Sequence, residues 1–273
     1  MNELPLKAQI RVAAYQAAPK PILDARKEQI HNALQKADAE KIDFICFPEG
    51  FLTGYYAQES LARKTSLEVQ GNIFKDFLLE ISQYRVTIII GFNEVADNDI
   101  FDSVAIIENG NLLGIQRKHY LYHDYYTPGV TFSCLQSKGV SFGVIVCLDS
   151  NYFEPARLLA IQGATILFCP MCNKVPLQHP YAKRPPYYSH FVARSHENRL
   201  WLVAADWVWS DDGEMVCPGH SVIYDPDGQE IARSNEGEEQ FVVIDIPLDR
   251  LFYEKGRRIH GSPILAQEMA RSV

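Results

Sequence analysis

The sequence predicts an α/β fold in which helices cover the outer faces of two stacked sheets. Short β-branched and aromatic runs alternate with longer segments of helical periodicity along the chain. Runs as apolar as TIIIGF and TILFCP indicate strands that are covered on both faces. A helix with one polar side can cover only one sheet face. Two sheets stacked on each other, with a helix layer on each outer face, therefore cover both faces of the strands and leave the polar side of each helix in solvent.

The first half of the chain has a βαβαβ pattern followed by a hairpin. We predict strands at IRVAAYQA, DFICFP and VTIIIGF, and helices over about residues 24–39 and 71–84. The segment SVAIIENGNLLGIQRK predicts a hairpin that turns at Asn109 and Gly110, because Asn-Gly favours a two-residue turn. GVSFGVIVCLD then indicates a buried strand. The sheets are therefore expected to be at least partly antiparallel.

The second half repeats the alternation without a linker. Helices are predicted over about residues 154–162 and 188–198. Strands are predicted at ATILFCP, LWLVAADWV, SVIYDPDGQEIA and QFVVIDIP. Because no change of composition separates the two halves, we expect one domain over residues 1–273.

The composition argues against several classes of protein. Hydrophobic residues make up 47% and charged residues 22% of the chain, which is ordinary for a globular protein. The net charge of −8 and the lack of a basic run argue against a nucleic-acid partner. The sequence has neither the pattern of a signal peptide nor an apolar run long enough to span a membrane. We therefore expect a cytoplasmic protein, without membrane contact, whose six cysteines are thiols.

Three irregular segments, residues 50–63, 118–132 and 171–188, each follow the end of a predicted strand. In α/β folds, ligand sites form at such strand ends. Three residues at the ends of predicted strands supply what catalysis by a thiol requires: Cys147 as nucleophile, Glu49 as proton acceptor and Lys118 as a cation for developing negative charge. Taken alone, Cys147 could be a structural cysteine, Glu49 a solvated loop acid and Lys118 a surface lysine. Their occurrence together favours the catalytic hypothesis.

Three segments resemble, in order and spacing, the signature motifs of the nitrilase superfamily. They are FPEGFLTGY around Glu49, RKHYLYHDYYTPG around Lys118 and CLDSNYFEPAR around Cys147, and the similarity runs from RVAAYQAAP to FVVIDIP. The resemblance implies a four-layer α-β-β-α sandwich and a Cys–Glu–Lys triad, with Glu49 as general base and Lys118 stabilising the tetrahedral intermediate. It also implies that the backbone N–H of Leu148 shares the oxyanion, and that no cofactor or metal takes part.

The cysteine motif is similar to that of the amidase branch, because Asp149 and an Asn-Tyr pair follow the nucleophile. Many members carry a second glutamate after the lysine, and here Asp124, one methylene shorter, occupies that place. The resemblance puts Tyr55, Asn151 and Phe153 around the bound acyl group. It also implies that subunits pair, at least as a homodimer.

The sequence therefore predicts hydrolysis of a small linear amide, ω-amido acid or N-carbamoyl compound through an acyl-thioester. Two alternatives remain: a nitrilase acting on a small nitrile, and a non-catalytic binding protein on the same fold. Lys183 and Arg184 lie in a loop rich in tyrosine and proline, and they could hold a substrate carboxylate or simply be solvated. Cys169 and Cys172 have CxxC spacing, but no second pair accompanies them, so no metal site is predicted.

Overall fold

The computed structural model describes residues 8–178, 189–210, 214–251 and 267. Within these residues the strands form two six-stranded sheets and one three-stranded sheet. No helix in this part of the chain has the length and apolar character that crossing a membrane requires.

The first sheet contains the amino-terminal strands and one late strand. Its strands are β1 (Gln9–Gln16), β2 (Phe44–Cys46), β3 (Thr87–Ala96), β4 (Asp99–Glu108), β5 (Asn111–Arg117) and β15 (Gln240–Pro247). The spatial order is β15-β1-β2-β3-β4-β5. Strands β1, β2 and β3 run parallel to one another, and the other pairs are antiparallel. The sheet is therefore mixed, as the sequence predicted.

Two tight turns connect β3, β4 and β5. Asn109 and Gly110 have φ values of 49° and 73°, as a type I′ turn requires, so the predicted hairpin is confirmed. Asp97 and Asn98, with φ values of 51° and 74°, build the turn before β4 in the same way. The sequence prediction missed this second hairpin, because Asp-Asn lacks the glycine that marks the other turn.

The second sheet is built from the middle and later part of the chain. Its strands are β6 (Leu135–Ser137), β7 (Val140–Val144), β8 (Ile166–Pro170), β10 (Trp201–Ala205), β13 (Val222–Tyr224) and β14 (Glu230–Arg233). They lie in the order β14-β13-β10-β8-β7-β6, with β7, β8 and β10 parallel. The small antiparallel sheet comprises β9 (Val175–Pro176), β11 (Val208–Ser210) and β12 (Met215–Pro218).

Five α-helices have both ends within the described residues. They are α1 (Leu23–Ala39), α2 (Glu59–Thr65), α3 (Asn72–Glu80), α4 (Phe153–Ile161) and α5 (Ser189–Asn198). The helix predicted to reach residue 84 ends at Glu80, and the Ser82 hydroxyl donates a hydrogen bond to the Leu79 carbonyl there. Helix α2 begins in a segment that was predicted to be irregular. The sequence did not predict this helix, because it buries only Ala62 and so shows little apolar periodicity. Position 188, the predicted start of the last helix, is outside the described residues.

Three apolar clusters separate the layers. Helices α1 and α3 pack on the first sheet through a cluster that includes Ile30 and Phe74, and α4 and α5 pack on the second through one that includes Leu159 and Phe191. Between the sheets lies a third cluster, in which the Phe44 ring of β2 stands 5.3 Å and 5.6 Å from rings on β7 and β8. Burial of one such ring contributes about 1.5–3 kcal/mol. The four-layer α-β-β-α prediction is confirmed.

Candidate active site

The site lies where the carboxyl ends of parallel strands in the two sheets come together. Glu49 follows β2, Lys118 follows β5, and Cys147 begins a 3₁₀-helix (Cys147–Asn151) soon after β7. The backbone N–H of Glu49 donates to the carbonyl of Met171, which follows β8, at 3.2 Å. This bond joins the first sheet to the second at the site.

Lys118 lies between two buried carboxylates. Its ammonium donates a hydrogen bond to the Glu49 carboxylate and another, of 3.1 Å, to Oδ2 of Asp102. None of the three side chains is more than 1% exposed. The backbone N–H of Lys118 also donates to the Asp102 carbonyl at 2.8 Å, so the two residues face each other across the end of the β4–β5 pair. Such an arrangement compensates the desolvation of each charge with hydrogen-bonded opposite charge.

The charged groups of this cluster shift one another's pKa. Burial raises the pKa of Glu49 well above its usual range, Lys118 opposes the rise, and the neighbouring Asp102 carboxylate adds to it. For Lys118, burial works to lower the pKa, but the two carboxylates outweigh burial and raise it. Lys118 is therefore a fixed cation, and Glu49 is a carboxylate with a strong tendency to take up a proton.

Cys147 is held in a left-handed backbone conformation, with φ of 45°. Burial raises the pKa of its thiol, the Glu49 charge raises it further, and Lys118 and the backbone N–H of Cys172 lower it. Cys147 therefore lies within electrostatic reach of Glu49 and Lys118, the other two predicted catalytic residues. Because the free thiol stays protonated, its use as a nucleophile requires a base that accepts its proton.

Two buried side chains hold the turn that carries Cys147. The Asp149 carboxylate accepts hydrogen bonds from the backbone N–H groups of His119 at 3.1 Å, Tyr120 at 2.8 Å and Val146 at 3.0 Å. Arg194 of α5 donates to three carbonyls of residues 150–152, at 2.8–3.2 Å. Asp149 thus ties the cysteine turn to the segment after Lys118, and Arg194 anchors the same turn to the outer helix layer.

The backbone of Glu49 is fixed from two further sides. Its carbonyl accepts a hydrogen bond of 2.7 Å from the indole N–H of Trp207. Gly91 of β3 lies so close that an added Cβ would stand 2.3 Å from the Gly50 nitrogen and 2.9 Å from Cα of Glu49. A glycine inside a strand often marks such a close backbone approach. The general base candidate therefore sits on a rigid support.

A cavity of about 270 Å³ opens at the cysteine. His190 and His220 contribute to its wall, and burial lowers the pKa of each to about 4, so both are neutral at pH 7. No Lys, Arg, Asp or Glu is found among the described residues of its wall. The described residues lining it are Cys147, Leu148, Ser150, Asn151, Met171, Asn173, Val175, His190, Pro218 and His220.

The other predicted site residues occupy different places. Leu148 and Asn151 line the cavity. The Tyr55 ring lies 5.5 Å from the Lys118 ammonium, next to the charged cluster. Phe153 is the first residue of α4, is 39% exposed, and lies outside the described cavity wall. Asp124 is exposed, whereas the carboxylate that joins Glu49 at Lys118 is that of Asp102.

Sequence reasoning missed several residues of the site. Asp102 had one signal, since it is the only charged residue in the largely apolar run IFDSVAII. Arg194 and Trp207 gave none, because their partners are backbone carbonyls far away in sequence. The residues Lys183 and Arg184, predicted as a carboxylate grip, lie outside the described residues. Within the described residues there is no group of three or more His, Cys, Asp or Glu side chains that could hold a metal ion.

Comparison with known proteins identifies relatives over most of the chain. The family model for carbon-nitrogen hydrolases matches residues 11–251. A Schizosaccharomyces pombe protein named "Probable nitrilase" is 29% identical over 250 residues, which are 87% of this chain and 89% of the relative. An "(R)-stereoselective amidase" of a Pseudomonas species is 27% identical over 212 residues, 77% of this chain and 74% of that protein.

A solved structure shows the same fold. The crystal structure of Saccharomyces cerevisiae Nit3, a member of branch 10 of the nitrilase superfamily, superposes with a TM-score of 0.81 at 19% sequence identity. The match covers 96% of this chain and 99% of that one. At this identity the likeness concerns the architecture, and it supports the sandwich described above.

Proposed function

Because the chain belongs to the carbon-nitrogen hydrolase family, in the amidase-like branch of the nitrilase superfamily, we propose that it hydrolyses a small amide through Cys147. The substrate classes are a linear amide, an ω-amido acid or an N-carbamoyl compound. The observation that carries the proposal is the thiol of Cys147 at the cavity wall, within the electrostatic influence of Glu49 and Lys118.

Acylation begins with transfer of the thiol proton of Cys147 to the Glu49 carboxylate. The sulfur then forms a bond to the substrate carbonyl carbon, and the carbonyl π electrons move to oxygen. The Lys118 ammonium and the backbone N–H of Leu148 stabilise this oxyanion. When the tetrahedral intermediate collapses, the carbon–nitrogen bond breaks, and Glu49 returns its proton to the departing ammonia or amine.

Deacylation uses the same groups in the same order. Glu49 accepts a proton from a water molecule, and the resulting hydroxide attacks the thioester carbon. Collapse of the second intermediate breaks the carbon–sulfur bond, and the thiolate of Cys147 takes the proton back from Glu49. The carboxylic acid leaves, and the enzyme returns to its starting state without a cofactor.

The cavity supports a small substrate. Its volume of about 270 Å³ is slightly below the usual range for ligand pockets, roughly 300–1,000 Å³. Neutral His190, neutral His220 and the amide of Asn151 offer hydrogen bonds to uncharged polar groups. A short acyl chain with a primary amide or ureido group suits this wall.

A nitrilase reaction is the second candidate. It is favoured by the likeness to the fission-yeast protein that carries a nitrilase name. The same thiol would attack a nitrile carbon, and the same lysine would face the developing charge. Substrate tests separate the two reactions, because an amide and its matched nitrile have the same acyl part.

Ammonia release tests the proposal. We would compare the wild type, Cys147→Ala and the control Cys134→Ala on linear amides, ω-amido acids, N-carbamoyl amines and matched nitriles. Cys134 is partly exposed and outside the described cavity wall. We expect release from at least one amide class by the wild type and the control, and none by Cys147→Ala. Release from nitriles alone would establish the second candidate, and no release from any compound would indicate a non-catalytic protein.

A further inference from the structure

We propose that Asp102 is a positioning residue of the catalytic centre: it shares Lys118 with Glu49 and thereby leaves Glu49 free to accept and return the proton of Cys147. The inference rests on the proposed function for the role of Glu49. It concerns a residue in the middle of a strand that the sequence motifs do not include.

The geometry places two carboxyl groups on one ammonium. Oδ2 of Asp102 accepts from Lys118 at 3.1 Å, while Glu49 accepts from the same nitrogen through Oε1. The second oxygens, Oδ1 of Asp102 and Oε2 of Glu49, are buried and have no hydrogen-bond partner within the described residues. The two carboxyl groups thus meet at one nitrogen, and the Asp102 carboxylate acts together with burial to raise the pKa of Glu49.

The second carboxylate changes what Lys118 does to the base. A cation paired with Glu49 alone would strongly favour the ionised carboxylate and make it a poor proton acceptor. Asp102 offsets that cation while leaving it in place to face an oxyanion. Glu49 needs this help, because its reaction partner is a thiol that burial keeps protonated.

The other titratable groups that act on Glu49 come from four different segments. Tyr55 after β2, Cys147 after β7, Cys172 after β8 and Tyr126 in the loop after Lys118 each interact electrostatically with Glu49. These are neutral groups in their ordinary protonation states, since burial raises the pKa of each of them. Asp149 in the cysteine turn also interacts electrostatically with Lys118, but Asp102 is the carboxylate that shares the Lys118 ammonium with Glu49 through a hydrogen bond.

Neighbouring residues make their own contacts between β5 and the strands β3 and β4 at this end of the sheet. Arg117, next to Lys118, forms a two-pronged ion pair with Glu94 of β3, with distances of 2.9 Å and 2.6 Å. Its guanidinium also lies 3.7 Å from the centre of the Phe101 ring of β4. These contacts tie β5 to β3 and β4 at this end of the sheet without a buried charge at position 102.

The test measures the protonation of Glu49 directly and then its effect on catalysis. Infrared titration follows the carboxyl C=O band that disappears in Glu49→Gln, in the wild type, Asp102→Asn, Asp102→Ser and Asp102→Glu. Asp99→Asn is the matched control, because Asp99 is an exposed carboxylate on the same strand. The pH profile of kcat/KM is recorded for the same proteins on the substrate with the fastest turnover.

We expect both uncharged variants to move the Glu49 titration, and the acidic limb of kcat/KM, to lower pH by about one pH unit or more. Their kcat should fall, because a weaker base removes the thiol proton less well. Asp102→Glu should restore the wild-type titration, and Asp99→Asn should leave it unchanged.

An unchanged Glu49 titration in a folded uncharged variant would overturn the proposal. So would a wild-type Glu49 that titrates in the ordinary range of glutamate, a result that needs no Asp102 variant to fold. The infrared measurement uses no substrate, so it decides the role of Asp102 even if every amide proves inert and the proposed function fails.

Discussion

The carboxylate of Asp149 accepts a hydrogen bond of 2.8 Å from the backbone N–H of Tyr120. This bond connects the turn of Cys147, the proposed nucleophile, to the segment that follows Lys118, the proposed oxyanion partner. Asp149 therefore holds these two residues in fixed relative positions without needing to touch the substrate. Catalysis that depends on such placement is sensitive to small displacements.

Asp149→Asn tests this connection. An amide in place of the carboxylate presents an NH₂ group to one of the backbone donors, so that at least one N–H loses its acceptor. We expect kcat/KM to fall by about 100-fold, and the free energy of unfolding to fall by about 1–3 kcal/mol. The exposed Asp76 of α3, changed to Asn, is the control. Full activity in folded Asp149→Asn would show that the connection does not matter for catalysis.

Trp207→Phe removes the donor to the Glu49 carbonyl and leaves that buried oxygen unpaired on this side. We expect a loss of about 1–3 kcal/mol in unfolding free energy and a lower kcat, measured by denaturant unfolding and steady-state kinetics. Trp201→Phe is a matched control, because the buried indole N–H of Trp201 has no partner in the described structure. Equal effects of the two substitutions on kcat would contradict a role for the Trp207 bond.

Gly91→Ala places a methyl group against the backbone of Glu49 and Gly50. Because the nearest atoms are backbone, the strand must shift, and overpacking of this kind costs about 1–3 kcal/mol. We expect a lower melting temperature and a reduced kcat/KM. Gly114→Ala is the control, since its Cβ would meet only the side chain of Leu135, at 3.3 Å. An alanine at 91 with wild-type activity would show that the close approach is not needed.

The buried His220 predicts a pH dependence of stability. Burial, with help from the Arg233 charge, lowers its pKa to about 4. Between pH 4 and about 6.5 the unfolded chain binds a proton at this residue and the native state does not, so this contribution to stability rises with pH. Relative to His220→Gln, the wild type should gain about 3 kcal/mol in unfolding free energy over that range.

Denaturant unfolding at several pH values measures this difference. The exposed His196, changed to Gln, provides the reference for a histidine on the surface. If the difference between wild type and His220→Gln does not change between pH 4 and 6.5, His220 is not held neutral by the fold.

The elements that the sequence predicted well are those with local signals. The pair Asn109 and Gly110 predicts a hairpin, and the apolar runs around Phe44 and Phe168 predict strands that are buried on both faces. The three predicted catalytic residues follow strands and lie in recognisable motifs. All of this is readable within a few neighbouring positions.

The supporting residues could not be read in the same way, because each acts on a distant partner. Asp102 meets Glu49 through Lys118, and Arg194 meets carbonyls more than forty residues earlier in the chain. Asp124 is close to Lys118 in sequence but exposed in the fold. Asp124 was predicted as the second carboxylate beside Lys118 because the two are close in sequence. In the folded protein, pairing of β4 with β5 places Asp102 there instead.

The most direct test of the account is mass spectrometry of the Cys147 peptide, after rapid acid quenching of the wild type during turnover of an amide substrate. We predict a mass increase equal to the acyl group on Cys147, which disappears when hydroxylamine is added and is never found on Cys134. Continued ammonia release with no acyl group on Cys147, or undiminished release by Cys147→Ala, would contradict the nucleophile and the mechanism built on it.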